Sequence, residues 1–380
     1  MASSRNFIVV GATRGLVLHV LLALHTFTDA HCVVVCAKRT RFLRFSKLVS
    51  EYLEVDFLGQ DDENFIDSIN RFSEDMPDLV LIPADCDGAR MTSRVRNRLK
   101  AAIIPAPDSS MLDCFNNKWL FYKFCKEHGI NVPATRYVGN KHDLAFASTV
   151  LEVGIPFVIK PLSEAGSQGV QVISSEEDYH QEILNNDAYQ HAPLIAQSYI
   201  KGTDVGLNVL SIKGKVAAIA IQQRDYPQHE AAKIKFINNS YLESVAHTLS
   251  GKSGYDGVMN IDARIEDGTD RVFLFECNPR FWRSLLASAW CGLNFVGEAV
   301  ESLQHSETIR TLTTGSADTF YHPLFHPSLW RYAIFDQGHR GRMVRAMIND
   351  VCFLGSSIVF AANAQRRPPA VVSARRNAAT

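Results

Sequence analysis

A lysine at the end of an apolar run is the first residue whose position suggests chemistry. Lys160 follows Pro156-Phe-Val-Ile, where burial of its stem is costly unless an anion lies at its tip. In the loop 163–170 that comes next, Gly166, Ser167 and Gly169 can lay backbone N–H groups and a hydroxyl against phosphate oxygens. Such a loop alone is more readily a plain glycine turn, so the preceding lysine is what favours a phosphate site.

A second set of polar residues lies on two apolar runs that are joined by a polar turn. Asp262 lies on the first run, and Glu276, Asn278 and Arg280 end the second. Two carboxylates and an amide oxygen are a hard, oxygen-only set of the kind that suits Mg²⁺, and Arg280 offers a planar fork to a developing oxyanion. A surface hairpin with ordinary charges is the alternative. A carboxylate directly after Val272–Phe275 favours the functional interpretation.

The segment 193–204, which lies between these two groups, is an apolar run that leads into a turn. Its backbone N–H and C=O groups can bond an adenine edge, and Asp204 can accept hydrogen bonds from ribose hydroxyls. Further along, Arg224, Arg283 and Ser284 are candidates to hold a substrate carboxylate. Ordinary solvated or structural charge is the alternative for both arginines.

These residues must be positioned by strands and helices. In the first hundred residues, short β-like runs alternate with helical ones. This βαβ rhythm predicts a parallel sheet. The predicted elements are strands Phe7–Val10, Cys32–Cys36 and Leu79–Ile82, and helices Gly15–Phe27 and Thr40–Tyr52. The turn from Gly11 to Gly15 is interpreted as a tight strand-to-helix connection, with nucleotide binding as the less favoured alternative because the full G-x-G-x-x-G is absent.

The remainder of the chain changes character near residue 105, where two prolines mark a predicted domain boundary. A helix is predicted over Lys118–Glu127 and ends before Gly129. Residues 155–280 have the pattern of β-hairpins, with turns predicted at Ile212–Val216 and Glu266–Asp270. The segment 366–380 holds four arginines and no acid, which predicts a frayed tail.

Composition excludes several classes of protein. The 380 residues are 46% hydrophobic and 21% charged, and 39 basic residues balance 40 acidic ones, which argues against a disordered chain and against a polyanion binder acting through bulk charge. Eight cysteines without a Cys-x-x-Cys pair favour a reduced, cytoplasmic protein. The run Leu16–Leu24 is predicted to be a buried helix, and Val351–Ala362 is too short to cross a bilayer of roughly 30 Å.

Taken in order, these motifs resemble the ATP-grasp superfamily, in the branch of the carbamoyl-phosphate synthetase large chain and the carboxylate–amine ligases. The resemblance covers roughly residues 5–300. Its motifs are Asn117-Lys118 with Gly129-Ile130 and Pro133, Lys160 with the 163–170 loop, Gln197 seven residues before Asp204, and Glu276-x-Asn278-Pro-Arg280. Each motif is modest, but four in the correct order are specific.

The resemblance implies a role for each matching residue. The residues implied in nucleotide binding are Lys118, Lys160, Ser167, Gly169, Gln197, Ser198, Tyr199, Ile200 and Asp204. Asp262, Glu276 and Asn278 are the implied ligands of two Mg²⁺ ions, with Mn²⁺ as a substitute. Arg280 and Lys160 are the implied catalytic residues. Gln197 stands where the family often has an acid, and the bulky residues after Arg280 imply an acceptor pocket particular to this protein.

The implied fold class combines α/β and α+β parts, an ATP-grasp fold preceded by a Rossmann-like pre-ATP-grasp domain with a parallel sheet. The expected divisions are the pre-ATP-grasp domain at 1–105, a small ATP-grasp subdomain at 106–195, a large subdomain with the metal site at 196–305, a C-terminal subdomain at 306–365 and a tail at 366–380.

The implied function is an ATP-dependent carboxylate–amine ligase that forms an amide or peptide bond through an acyl phosphate. The expected partners are small carboxylates and amines, with no nucleic acid and no membrane, and a homodimer is the prior for such enzymes. One alternative is a bicarbonate-activating enzyme that forms carboxyphosphate. Another is a nucleotide-binding regulatory protein without turnover, which the joint presence of Asp262, Glu276, Asn278 and Arg280 disfavours. The identity of the substrates stays open.

Overall fold

The protein divides into two compact units. The computed structural model describes residues 4–57, 62–76, 78–164, 168–225, 233–304, 308–318 and 322–366. The first unit comprises 1–112, 206–260 and 278–364, and the second comprises 113–205, 261–277 and 365–380. The five-part division that the sequence predicts remains a prediction.

Sixteen strands and thirteen α-helices are present in the described ranges. The strands are β1 Ser4–Gly11, β2 Asp29–Cys36, β3 Glu51–Glu54, β4 Val80–Pro83, β5 Ala102–Ile103, β6 Thr135–Val138, β7 Phe157–Pro161, β8 Gln171–Ile173, β9 Leu194–Ser198, β10 Gly202–Ile212, β11 Lys215–Asp225, β12 Lys233–Ile237, β13 Gly257–Glu266, β14 Val272–Asn278, β15 Arg310–Leu312 and β16 Ser316–Asp318. The helices are α1 Arg14–His25, α2 Asp62–Asp75, α3 Cys86–Val95, α4 Ser109–Asn116, α5 Lys118–Glu127, α6 Phe146–Val153, α7 Glu176–Tyr179, α8 Ser240–Ser253, α9 Leu285–Trp290, α10 Phe295–Glu301, α11 Trp330–Phe335, α12 His339–Asn349 and α13 Val351–Arg366.

The first unit contains a five-stranded parallel sheet in the order β3-β2-β1-β4-β5. Because successive side chains of a strand point to opposite faces, Phe7 and Val9 pack in one core with α1, whereas Ile8 and Val10 pack in another with α2 and α3. Both faces of the sheet are therefore covered by helices. The predicted parallel βαβ block is confirmed.

Two local predictions for this block have different outcomes. The run Leu16–Leu24 lies in α1 and is almost wholly buried, as predicted. The predicted helix Thr40–Tyr52 is wrong. Residues 38–45 form a 3₁₀ helix, and Glu51–Glu54 forms β3, which pairs in parallel with β2. Backbone pairing with a distant strand thus overrides the local helical pattern.

The other two sheets carry the predicted hairpins. One has the order β14-β13-β10-β11-β12-β16, with β15 beside β11, and its strands β10, β13 and β14 each have residues in both units. The turn between β10 and β11 and the turn between β13 and β14 lie where the sequence predicts them. The third sheet, β6-β9-β7-β8, is antiparallel and belongs to the second unit.

The turn before α1 is occupied by a carboxylate of the chain itself. Asp85 is 2% exposed, and its Oδ2 accepts hydrogen bonds from the backbone N–H groups of Ala12 at 2.8 Å and Thr13 at 2.6 Å. Its Oδ1 accepts from the N–H of Gly88, which caps α3. The interpretation of the Gly11–Gly15 segment as a structural turn fits this arrangement, because an internal anion uses the amides.

Replacing Asp85 by alanine is expected to destabilise the protein by about 2–3 kcal/mol, because three backbone N–H groups lose their acceptor. Urea unfolding measures the change. The matched control is Asp87→Ala on the same helix, which removes only an exposed ion pair with Arg39 and should cost less than about 1 kcal/mol. Equal losses in the two variants would contradict this account.

The C-terminal helix is fastened to the first unit by a second buried carboxylate. Asp350 accepts hydrogen bonds from the N–H of Phe353 at 2.7 Å, the N–H of Lys47 at 3.1 Å and the hydroxyl of Ser46. It thereby caps α13 and joins it to the segment after the 3₁₀ helix. Among the helices of the described ranges, none has both the length and the apolar character needed to span a membrane.

Candidate active site

An ion pair between a buried lysine and a partly exposed glutamate lies in the second unit. Lys118 is the first residue of α5, which begins there because Asn117 Oδ1 accepts hydrogen bonds from the N–H groups of Trp119 and Leu120. The Lys118 side chain is 6% exposed, and its Nζ lies 3.1 Å from Glu276 Oε2 on β14. It also donates to the backbone carbonyl of Glu164 at 2.8 Å. The lysine is thus fixed beside a carboxylate and the start of the glycine loop.

The side chain of Asp262 on β13 lies close to the Glu276 carboxylate. Burial by itself would raise the pKa of Glu276, but the positive charges of Lys118 and Lys160 outweigh it and hold the pKa below its ordinary value. Two carboxyl groups in contact repel each other when both are ionised, and a divalent cation with oxygen ligands relieves that repulsion. The donor set therefore fits Mg²⁺. This set has two carboxylates, and in the described part of the chain no group of three or more His, Cys, Asp or Glu residues is arranged to hold a metal ion.

Lys160 lies near the end of β7, as the sequence predicts. Its Nζ donates to Gln197 Oε1 at 2.8 Å and lies 4.9 Å from the ring centre of Phe275. Gln197 Nε2 donates in turn to the hydroxyl of Thr135, so the amide is held in one orientation. Burial lowers the pKa of Lys160 to about 8, although the negative charge of Glu276 acts in the opposite direction. The lysine is therefore mainly protonated at neutral pH.

The connection from β9 to β10 is held by hydrogen bonds on both sides. Ser198 donates its N–H to Ala134 O and its hydroxyl to Val153 O, and Tyr199 donates its N–H to Pro156 O. The Ile200 carbonyl and the Asp204 carboxylate both accept hydrogen bonds from Arg264 of β13. Residues 197–204 therefore form a fixed connection, which we call the hinge segment.

The end of the glycine loop is held in place by a hydrogen bond from Tyr189. Gly169 has a φ of +67°, and its carbonyl accepts a hydrogen bond of 2.7 Å from the buried hydroxyl of Tyr189. A Cβ at this position would lie 2.5 Å from the ring of His191 and 2.7 Å from Pro161, so the backbone requires glycine. Ser167 lies outside the described residues.

Asn278 and Arg280 belong to the first unit. Arg280 Nη2 donates to Asn278 Oδ1 and its Nη1 to the carbonyl of Phe281, both at 2.8 Å. Burial raises the pKa of the nearby Cys86 to about 11, despite the opposing charge of Arg280, so this thiol stays protonated. The guanidinium is thus fixed by two acceptors and has no thiolate beside it.

A narrow cleft in the first unit is lined by Arg280. The other walls are mostly apolar and rich in proline, and they come from the ends of β4 and β5, from α3, from β13 and from the two neighbours of Arg280. Asp85 also lines the cleft, but backbone amides already bind its two oxygens. Arg280 is therefore the charged group that this cleft offers to a ligand.

The three predicted substrate residues also lie in the first unit. Ser284 exchanges two hydrogen bonds with the buried Gln222, as an acceptor at 2.8 Å and as a donor at 3.0 Å. Arg283 is exposed, and Arg224 is exposed on β11 opposite Ile234 of β12. The Ser284 hydroxyl is thus oriented by Gln222, and both arginines lie at the surface.

Sequence reasoning missed the arginine and the amides that support these residues. Arg264 contacts the hinge segment, and its signal was the alternation Ile261-Asp-Ala-Arg-Ile265, which puts it on the strand face of Asp262. Asn208 and Asn260 are buried and bonded to each other at 2.8 Å. Their signal, like that of Gln222, was an amide within an otherwise apolar strand.

Comparison with known proteins gives a consistent assignment. The family profile of the ATP-grasp domain matches residues 115–284. A D-alanine–D-alanine ligase of Methylorubrum populi is 27% identical over 194 residues, which are 45% of this chain and 62% of the relative, so the chain spans less than two thirds of that relative's length. The D-aspartate ligase of Enterococcus faecium is 22% identical over 325 residues, 77% of this chain and 76% of the relative.

Solved structures show the same fold. N5-carboxyaminoimidazole synthetase from Staphylococcus aureus complexed with ADP is similar with a TM-score of 0.62 and 13% identity, over 82% of this chain and 80% of that chain. The predicted combination of parallel and antiparallel sheets in an ATP-grasp fold is confirmed. Residues 115–284 therefore match an ATP-grasp domain, as the sequence motifs predict.

Proposed function

We propose that this protein is an ATP-dependent carboxylate–amine ligase acting on an amino acid or another small carboxylate. The observation that carries the proposal is the cluster in the second unit, where Lys118 and Lys160 lie beside the carboxylates of Asp262 and Glu276. Phosphoryl transfer requires charge neutralisation and in-line positioning more than covalent chemistry, and this cluster supplies both signs of charge. The sequence similarity to ligases of D-alanine and D-aspartate supports an amino-acid substrate.

In this proposal the second unit binds the nucleotide. Lys118 and Lys160 hold the α- and β-phosphates, and the loop that ends at Gly169 covers them. Backbone groups of Ser198 to Ile200, other than the two N–H groups and the Ile200 carbonyl that already have protein partners, bond adenine beside Gln197, with Asp204 on the ribose. Ser167 also belongs to the proposed covering loop.

Asp262, Glu276 and Asn278 are the proposed ligands of two Mg²⁺ ions, for which Mn²⁺ substitutes. Bound there, the metal neutralises phosphate oxygens and polarises the γ-phosphoryl group. Glu276 keeps its charge at neutral pH because of the lowered pKa, so the carboxylate is ready to bind a cation.

The proposed reaction has two steps. A substrate carboxylate oxygen attacks the γ-phosphorus of ATP, the bond to the bridging oxygen breaks, and an acyl phosphate and ADP result. An amine then attacks the acyl carbon, the bond to phosphate breaks, and the amine releases a proton to give the amide and inorganic phosphate. Arg280 is proposed to stabilise the charge that develops on the transferring phosphoryl group and on the tetrahedral intermediate.

The acceptor site is proposed to lie in the first unit. The basis of this placement is Arg280, which lines a narrow cleft of that unit. Arg224, Arg283 and Ser284 are the proposed contacts for a substrate carboxylate, with Ser284 oriented by Gln222. A homodimer is also proposed, on the general frequency of two-fold pairs, and light scattering tests it.

The test of this function is phosphate release by the purified protein. ATP and Mg²⁺ are supplied with pooled amino acids and small carboxylates, with and without amines, and product masses are measured. Release that needs both a carboxylate and an amine, with a product lighter by one water than the two together, supports the proposal. Release that needs bicarbonate instead favours a carboxyphosphate-forming enzyme. ATP binding without release from any pool contradicts ligase activity and favours the non-catalytic alternative.

The pKa of Lys160 predicts how nucleotide affinity depends on pH. Phosphates favour the ammonium form, so binding raises this pKa, and affinity is lost as the pH rises through the value of about 8 in the free protein. We expect the Kd for ADP to rise about tenfold from pH 7 to pH 9. Titration calorimetry measures it. Lys160→Arg, whose guanidinium stays charged, should bind with little pH dependence over this range. A flat profile for the unmodified protein would count against Lys160 as a phosphate ligand.

A further inference from the structure

Arg264 occupies an unusual place in the second unit. It lies on β13 two residues after Asp262, and its side chain is 14% exposed. A guanidinium this enclosed has lost most of its water and requires protein acceptors in return. Its partners therefore indicate what it is for.

The acceptors of Arg264 are both in the hinge segment. Nε and Nη2 donate to the same oxygen of Asp204, Oδ1, at 2.8 and 2.5 Å. Nη1 donates to the carbonyl of Ile200 at 2.6 Å. One planar group thus fixes a side chain and a backbone carbonyl that lie four residues apart on the chain.

Two aromatic rings hold the guanidinium itself in place. Its central carbon lies 5.7 Å from the ring centre of Tyr199 and 5.4 Å from that of Phe275. Both distances are within the range of cation–π attraction. The two rings thus hold the Arg264 guanidinium in one position, so the groups that accept its hydrogen bonds are held as well.

We propose that Arg264 is a positioning residue that sets Asp204 for recognition of the ribose hydroxyls. The inference rests on the proposed function, in which Asp204 and Ile200 contact the nucleoside. The Asp204 side chain is 38% exposed, so a ligand can reach it, and an exposed carboxylate without restraint would rotate freely. Holding one oxygen in the fork of Arg264 reduces the entropy that ribose binding must remove.

The proposal predicts that loss of Arg264 weakens only the part of nucleotide affinity that comes from the ribose hydroxyls. Arg264→Gln should weaken ADP binding about tenfold and leave 2′,3′-dideoxy-ADP nearly unaffected, since that nucleotide lacks both hydroxyls. Arg264→Lys should fall between, because an ammonium cannot reproduce the fork. In an Asp204→Asn background, Arg264→Gln should cause no further loss of ribose discrimination, because the two residues act as one unit.

A residue with a merely structural role would give a different pattern. Loss of the Arg264 contacts would then loosen the hinge segment and weaken both nucleotides equally. Arg271→Gln is the matched control, because Arg271 lies after the same hairpin turn but forms an exposed ion pair with Glu266. That variant should bind both nucleotides as the unmodified protein does.

The experiment is calorimetric titration of the unmodified chain and these variants with ADP and with 2′,3′-dideoxy-ADP, in Mg²⁺, with melting temperatures recorded. If Arg264→Gln does not fold, Arg264→Lys supplies the measurement. A reduced preference for ADP over the dideoxy nucleotide supports the inference. An unchanged preference overturns it, whether or not both affinities fall. Binding of neither nucleotide by the unmodified chain contradicts the proposed function and the inference with it.

Discussion

Replacing Glu276 by glutamine is expected to lower the turnover of the proposed ligase on the order of 10³-fold, the scale seen when one group that stabilises transition-state charge is lost. The substitution keeps the size of the side chain and an oxygen acceptor for Lys118 at 3.1 Å. It removes the negative charge that Asp262 and Glu276 together offer to a cation. The effect should therefore fall on kcat, together with a lower melting temperature, because Lys118 and Lys160 lose the counter-charge of Glu276.

Nucleotide binding separates this explanation from a loss of folding. Without Mg²⁺, the variant should bind ADP at least as tightly as the unmodified protein, because a carboxylate near the phosphates repels them. With Mg²⁺, the unmodified protein should gain affinity and the variant should gain much less. Phosphate release and calorimetry with and without EDTA measure the two quantities.

Glu266→Gln is the control for this prediction. Glu266 ends β13 and pairs with the exposed Arg271, so its loss removes one carboxylate from the same hairpin but none from the cluster. Turnover in that variant should stay within about twofold of normal. Full activity of Glu276→Gln would rule out the proposed role of Glu276.

The elements that carry the candidate site were largely predictable because their signals are local. Lys118 begins the helix that the sequence predicts, and Glu276 lies on the predicted strand beyond the polar turn. Capping residues, glycine turns and strand alternation act over a few positions, so they can be recognised without knowing the fold.

The support for these residues could not be predicted, because it comes from distant parts of the chain. Arg264 meets Ile200 and Asp204 across about sixty positions, and Asp85 meets Ala12 across 73. The same distance effect explains the wrong helix at Thr40–Tyr52, whose end pairs with β2 as a strand. Local patterns show which residues are polar, and the fold decides which partners they meet.

Gln197 departs from the family pattern, and its hydrogen bonds offer a physical reason for the amide. The sequence shows only an amide where an acid is frequent. In the structure its oxygen accepts from Lys160 and its nitrogen donates to Thr135. An acid at this position would pair with Lys160 and compete with phosphate for its charge. The amide positions the lysine while leaving that charge available to an anionic ligand.

Gly202→Ala is expected to destabilise the protein by about 4 kcal/mol or more, a loss reserved for severe steric or packing defects. Gly202 opens β10, and a Cβ there would lie 1.9 Å from the carbonyl oxygen of Ile265 and 3.0 Å from the Cα of Glu266. Both neighbours are backbone atoms, which cannot move aside by rotating a side chain. The two strands would have to separate.

The close approach of β10 and β13 at Gly202 and Ile265 also brings Asp204, two residues after Gly202, to Arg264, the residue before Ile265. Any Gly202→Ala protein that folds should therefore bind ADP more weakly as well as melt earlier. Gly15→Ala is the matched control, because no atom beyond its chain neighbours and its own helix backbone lies within 4 Å of its Cβ position, and alanine suits α1. Thermal unfolding by circular dichroism compares the variants, and a melting temperature for Gly202→Ala within about 2 °C of normal would show that β10 and β13 tolerate a side chain between them.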